Sequence, residues 1–196
     1  MAAERRLNWG SALIGALATL ALLVAVGAAI LFGGLYPVGA SSGHSGAIGW
    51  LLRETMERSV KRSAAGLESP SLSWDDALEG GSHFKGMCQQ CHGGPGAEPD
   101  AFAEAMTPEP PDLSRAAERW SRPEIFWIAR HGIKMTGMPA FGQQAPDDEL
   151  WKIAAFVEQL PKVTAEHYAS LPDAHADNGH AHDVAGEADG AGGHSH

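Results

Sequence analysis

The sequence predicts an all-α protein in which one membrane-spanning helix precedes a small helical domain. Two observations carry that reading. Between Arg6 and Arg53 there is no Asp, Glu, Lys or Arg, and from Ala12 to Tyr36 the only clearly polar side chain is Thr19. Further along, Ser121 to Gly132 and Asp147 to Pro161 each repeat apolar residues at helical spacing between start and stop signals. A chain of 196 residues suits one ordinary domain with extensions.

The apolar run is the first element. At about 1.5 Å rise per residue, roughly 20 helical residues cross the ~30 Å hydrocarbon layer, and the run exceeds that length. Trp9 and Tyr36 lie near its ends, where amphipathic rings favour the membrane interface. A cleaved export signal is the alternative, with Arg5 and Arg6 as its basic start and Val38-Gly39-Ala40 as an approximate cleavage site. The apolar core of such a signal is only about 7 to 15 residues long, so a retained anchor is expected. Arg5 and Arg6 precede the span and no Lys or Arg follows for sixteen residues, which keeps the amino terminus inside. The expected location is the inner membrane, crossed once, with the remainder on the exported, periplasmic side.

Four regions follow from composition. Residues 1–38 form the cytoplasmic start and anchor. Residues 39–70 form a linker in which Ile48, Leu52, Met56 and Val60 recur at fourfold spacing, an amphipathic helix with a basic face. That helix either lies on anionic lipid head groups or packs on the domain as a spacer. Residues 71–162 form the folded domain. Residues 163–196, rich in Ala, Gly, His and Asp, carry too few large apolar side chains to fold alone and are expected to be a disordered, acidic tail.

The net charge of −10 is divided unevenly, as +3 over residues 1–64 and −13 over residues 65–196. Nucleic acid is thereby excluded as the main partner, because no basic stripe in the folded part could face phosphates. The only two cysteines stand three apart, which excludes a disulfide-stapled domain and a four-cysteine zinc site.

Those cysteines belong to Cys88-Gln89-Gln90-Cys91-His92, the attachment pattern of c-type haem. Two thiols on one helical turn can each add to a vinyl group, and the adjacent His92 then offers a ring nitrogen to the iron from the same side. A dithiol redox pair and half of a zinc site use the same spacing. The redox pair normally opens a helix in a βαβ setting that this sequence lacks, and the zinc site must recruit distant histidines.

An iron held by one histidine needs a sixth ligand or an open position, and that choice separates a carrier from an enzyme or sensor. The stretch from Gly132 to Gly142 reads as an extended loop, with Pro139 preventing helix continuation. It holds Met138, directly before the proline, and Met135; Met138 is the expected ligand and Met135 the reserve. His131, Met106 and His83 are weaker candidates. The loop is delivered by a helix whose start is the capping box Ser121-Arg122-Pro123-Glu124. Trp127 or Trp120 could donate an indole N–H to a haem propionate, and Arg130 or Lys134 could neutralise one, although such side chains more often fill cores or meet solvent.

From Asp75 to Leu160 the chain resembles a class I mono-haem c-type cytochrome, a small all-α fold of helices around one covalent haem. Gly80 and Phe84 stand eight and four residues before the first cysteine, as in that family's amino-terminal helix, and the helix from Asp147 to Leu160 corresponds to its carboxy-terminal partner. Pro110-Pro111-Asp112-Leu113 matches a Gly-Pro-x-Leu turn with proline for glycine. The resemblance implies that the Pro111 carbonyl accepts a hydrogen bond from the proximal histidine and that Met138 is the axial methionine.

With imidazole and thioether on the iron, no vacancy remains for a substrate, and the expected function is one-electron transfer at comparatively high potential. Expected partners are a quinol-oxidising complex or dehydrogenase as donor and a terminal oxidase or other exported acceptor in a respiratory chain. Two other readings compete: a haem enzyme or sensor with an openable sixth position, and a metal-handling protein. The latter would use His180, His182, His194 and His196 in the tail to hold a divalent metal such as copper, nickel or zinc.

Overall fold

The computed structural model describes residues 9–174 and divides the chain into two compact units, one ending at Gly43 and the other beginning at His44. Among the described residues there is no strand, only an isolated bridge between Gly94 and Ala97, so the all-α class holds.

The first unit contains α1, Trp9–Phe32, 24 residues with none buried and none charged. By length and composition α1 can cross a bilayer. Gly34, at φ +61°, follows its last turn, where a left-handed residue is natural for glycine.

The second unit is built from α2 (Gly46–Ala64), α3 (Trp74–Met87), α4 (Gln89–His92), α5 (Ala101–Glu104), α6 (Arg122–His131), α7 (Asp147–Gln159) and α8 (Ala165–Ser170). Its frame is the crossing of α3 and α7. Ser73 and Asp76 open α3 with a reciprocal capping box, the Ser73 hydroxyl accepting the Asp76 N–H at 3.1 Å and the Asp76 carboxylate accepting the Ser73 N–H at 2.8 Å. Three acids, Asp147, Asp148 and Glu149, occupy the first turn of α7, where the helix dipole favours negative charge. Gly80 brings the two backbones together, because any Cβ there would run into the Lys152 carbonyl. Around this contact Phe84, Leu150, Ala154 and Phe156 are fully buried, and the rings of Phe84 and Phe156 lie 5.4 Å apart in a tilted pair. On the far side of α7, Trp151 stacks flat on Phe126 of α6 at 3.9 Å.

Residues on both sides of the span 71–162 pack onto its core. Val60 and Ala64 of α2 are buried, and α2 packs against α6. Glu57 of α2 pairs with Arg119, and Lys61 lies 6.0 Å from the centre of the Trp120 ring. Toward its amino-terminal end the same helix leaves Trp50 and Leu51 exposed. Past residue 162, Val163 and Tyr168 join the core, and Thr164 caps α8 by accepting the His167 N–H at 3.2 Å. The amphipathic period announced an apolar face on α2 but not what covers it; a segment poor in apolar residues concealed one buried tyrosine.

Candidate haem site

The attachment motif sits where α3 ends. Cys88 closes α3 by donating its N–H to the Phe84 carbonyl at 2.9 Å, and its own carbonyl accepts the N–H groups of Cys91 at 3.0 Å and His92 at 2.9 Å. One turn of helix therefore carries Cys88, Cys91 and His92, at offsets of three and four that place them on one side. Gly93, buried and at φ +66°, ends the turn; a Cβ there would stand 2.7 Å from the Ala97 carbonyl oxygen. Reciprocal hydrogen bonds between Gly94 and Ala97 then reverse the chain.

No disulfide joins Cys88 and Cys91. Burial, with a smaller effect from Cys91, pushes the Cys88 thiol up to about 12, and burial followed by the Asp100 charge raises Cys91. A redox-active dithiol needs the opposite, a thiol acidified toward neutrality. Among the described residues no group of three or more His, Cys, Asp or Glu is arranged to hold a metal ion.

His92 Nδ1 lies 2.9 Å from the carbonyl oxygen of Pro111. A carbonyl only accepts, so Nδ1 bears the proton and Nε2 keeps its lone pair in the neutral ring. Burial lowers the His92 pKa, and the Pro111 hydrogen bond partly opposes it. The Pro110-Pro111 turn delivers the carbonyl although proline replaces glycine at 110. Asp112, next in sequence, holds the turn by accepting the Ser114 N–H at 2.8 Å and the Ser114 hydroxyl at 2.7 Å. Beside His92 is a cavity of about 350 Å³ whose wall is apolar at Phe84, Leu113, Leu160 and Val163 and polar at Asp112 and Ser114. Two neutral thiols on one turn, a neutral imidazole with its outer nitrogen engaged, and a partly apolar wall together fit a covalently attached haem.

The methionine loop is turned rather than extended. Ile133 N–H reaches the Met138 carbonyl at 3.4 Å, and the Thr136 hydroxyl accepts the Met138 N–H at 3.1 Å while donating to the Ile133 carbonyl at 2.7 Å. The two methionines nonetheless separate: Met135, in the left-handed region at φ +63°, is 84% exposed, whereas Met138 is half-buried. Met106 packs against Gly137, where a Cβ would lie 2.7 Å from its sulfur.

Several of the other candidate residues make contacts within the protein. Arg130 pairs with Asp147 at 2.7 Å, the Trp127 ring is 4.8 Å from that of His131, and Trp120 is taken up by Lys61 and Arg119. His83 Nδ1 is 3.1 Å from Glu149 across the α3–α7 crossing. The tail histidines His180, His182, His194 and His196 lie outside the described residues. Sequence reasoning missed Tyr168, whose hydroxyl donates to Gln89 Oε1 at 2.7 Å inside the attachment motif. The available signal was a capping threonine at 164 followed by the second of only two tyrosines in the chain.

Residues 75–157 match the protein family described as cytochrome C oxidase, cbb3-type, subunit III. No curated protein and no solved structure matches the chain. The matched span begins in the first turn of α3 and ends near the close of α7, enclosing the attachment turn, the Pro111 turn and the methionine loop.

Proposed function

We propose, from the premise that residues 75–157 form a c-type cytochrome domain carrying covalent haem c, that this protein is a membrane-tethered one-electron carrier with His92 and Met138 as its axial ligands. Bound haem supplies a single-electron couple between ferrous and ferric iron. The chain's residues do the rest. Cys88 and Cys91 anchor the group through two thioethers. The single observation that carries the ligation reading is the His92 Nδ1 contact with Pro111, which fixes the tautomer and aims an unprotonated Nε2 away from the backbone. Half-burial of Met138 beside fully exposed Met135 favours the former as the second ligand.

With both axial positions filled by protein, a substrate has no place to bind, and transfer of electrons is what remains. The family description points to respiratory oxidase complexes as the setting, with a quinol-oxidising complex or dehydrogenase on the donor side. The helix α1 supports a tether, and the arginines before it support an exported haem domain on the periplasmic side. Fourteen Asp and Glu against eight Lys and Arg between residues 70 and 163 favour a partner surface that is basic or neutral.

A redox-difference spectrum of membranes washed with high salt and alkali tests cofactor and tether together: a c-type signal retained in the membrane is expected, and its release would remove the tether. Carbon monoxide added to the ferrous protein at neutral pH tests the ligation. No stoichiometric binding is expected; ready binding would replace the carrier with an enzyme or sensor.

A further inference from the structure

The stretch beyond Pro161 is fastened to the attachment turn by more contacts than its composition suggests. The Tyr168 ring, 2% exposed, lies 5.9 Å from Phe156 in a near-parallel pair and 6.3 Å from Phe84 edge-on. Lys85 Nζ sits 5.1 Å from the centre of the same ring and donates to the carbonyls of Ala169, at 3.1 Å, and Leu171. Ala174 N–H reaches the Ser82 carbonyl at 3.3 Å. Glycines on the motif side make the fit: a Cβ on Gly94 would lie 2.6 Å from Tyr168 Cε1, and one on Gly96 would lie 2.6 Å from Ala165 Cβ. At the centre, the Tyr168 hydroxyl donates to Gln89 Oε1 at 2.7 Å, and Gln89 immediately follows Cys88. Burial, and then nearness to Cys88, raises the phenol pKa, so this donor keeps its proton.

We propose that residues 164–174 are a strap whose Tyr168 is a positioning residue for haem: its hydroxyl fixes Gln89 in the attachment turn, and its ring closes the Cys88 side of that turn to water. Neither group touches the reacting iron. The hydroxyl acts on how often the turn opens, and the ring acts on local polarity, because an apolar surround disfavours the more highly charged ferric state. The inference rests on the carrier reading only through the reduction potential. Opening of the turn is measurable whatever the sixth ligand is.

The test uses the full-length holoprotein in detergent, comparing Tyr168→Phe, Tyr168→Leu and Gln89→Leu. Tyr168→Phe keeps the ring and should leave the potential unchanged, while amide exchange at residues 89–92 accelerates about three- to tenfold, as loss of one net hydrogen bond requires. Gln89→Leu should accelerate the same amides to a similar degree, and the double variant should add nothing further, because both remove one interaction. Tyr168→Leu should lower the potential with the visible spectrum of the ligated haem retained. Wild-type exchange at 89–92 in Tyr168→Phe, acceleration spread equally over α3 and α7, or a wild-type potential in Tyr168→Leu would each overturn the proposal. If carbon monoxide binding were to reveal an open sixth position, the exchange comparison would still decide the role of Tyr168.

Discussion

Gly80 of α3 lies directly against the peptide of Lys152 and Ile153 on α7, with the Ile153 nitrogen 2.7 Å from where a Cβ would stand. The obstacle is backbone, not a movable side chain. Gly80→Ala must therefore push the two helices apart or bend one, and overpacking of this kind costs about 1–3 kcal/mol. A fall in the thermal midpoint of the holoprotein is expected, with haem still attached because Cys88, Cys91 and His92 lie outside the contact. A wild-type midpoint would mean that the crossing is looser than this geometry.

The docking of α2 gives a second prediction. Val60 is 1% exposed beneath α2. Val60→Ala removes two buried methyl groups and leaves a void, at a cost of about 2 kcal/mol. Deleting residues 1–43 and supplying a cleavable export signal should yield a soluble red protein of near wild-type stability. Deleting residues 1–70 also removes α2, uncovering Trp120 and the α6 surface, and should lower the midpoint further. Equal midpoints for the two deletions would reduce α2 to a spacer.

What was legible in the sequence follows from the range of each signal. The capping box at Ser121, the stops at Gly132 and Pro161, and the attachment turn are local, set by residues within four positions of one another, and all are readable without a fold. The Pro111 carbonyl lies nineteen residues from His92, and only a resemblance to known sequences brought it forward. Tyr168 lies seventy-nine residues from Gln89, in a segment whose composition argued against burial. One large side chain entering a core formed by other segments leaves no periodic trace. Arg130 is a further case: its pairing with Asp147 at the start of α7, seventeen residues on, is carried by no local pattern.

The two Asp–Ser caps make stability depend on pH in the acid range. Hydrogen bonds from Ser73 hold the Asp76 pKa below its ordinary value of 3.8, and those from Ser114 do the same for Asp112. A lowered native pKa means that the unfolded chain binds the proton more readily. The stabilisation is thus complete well above pH 3.8 and is lost as pH falls through that value toward the lowered native ones. Ser73→Ala should reduce stability at neutral pH and flatten its decline between about pH 5 and 2, measured as denaturation midpoint against pH. An unchanged slope would assign the acid sensitivity to other carboxylates.

The last prediction separates the two methionines. Met135 and Met138 share one loop, but the left-handed backbone at Met135 turns its side chain into solvent, and the Thr136 hydroxyl holds the Met138 peptide at 3.1 Å. Met138→Leu preserves apolar volume, so packing alone should cost less than about 1.5 kcal/mol. Loss of the sulfur should abolish the weak long-wavelength absorption of thioether bound to ferric iron, lower the potential and admit carbon monoxide. Met135→Leu should change none of the three, since an exposed side chain is exchanged for another. If the two variants behave in the opposite sense, Met135 is the ligand and the loop reorganises around haem. If neither alters the spectrum, Met106, packed against Gly137 in the same loop, is the next residue to replace.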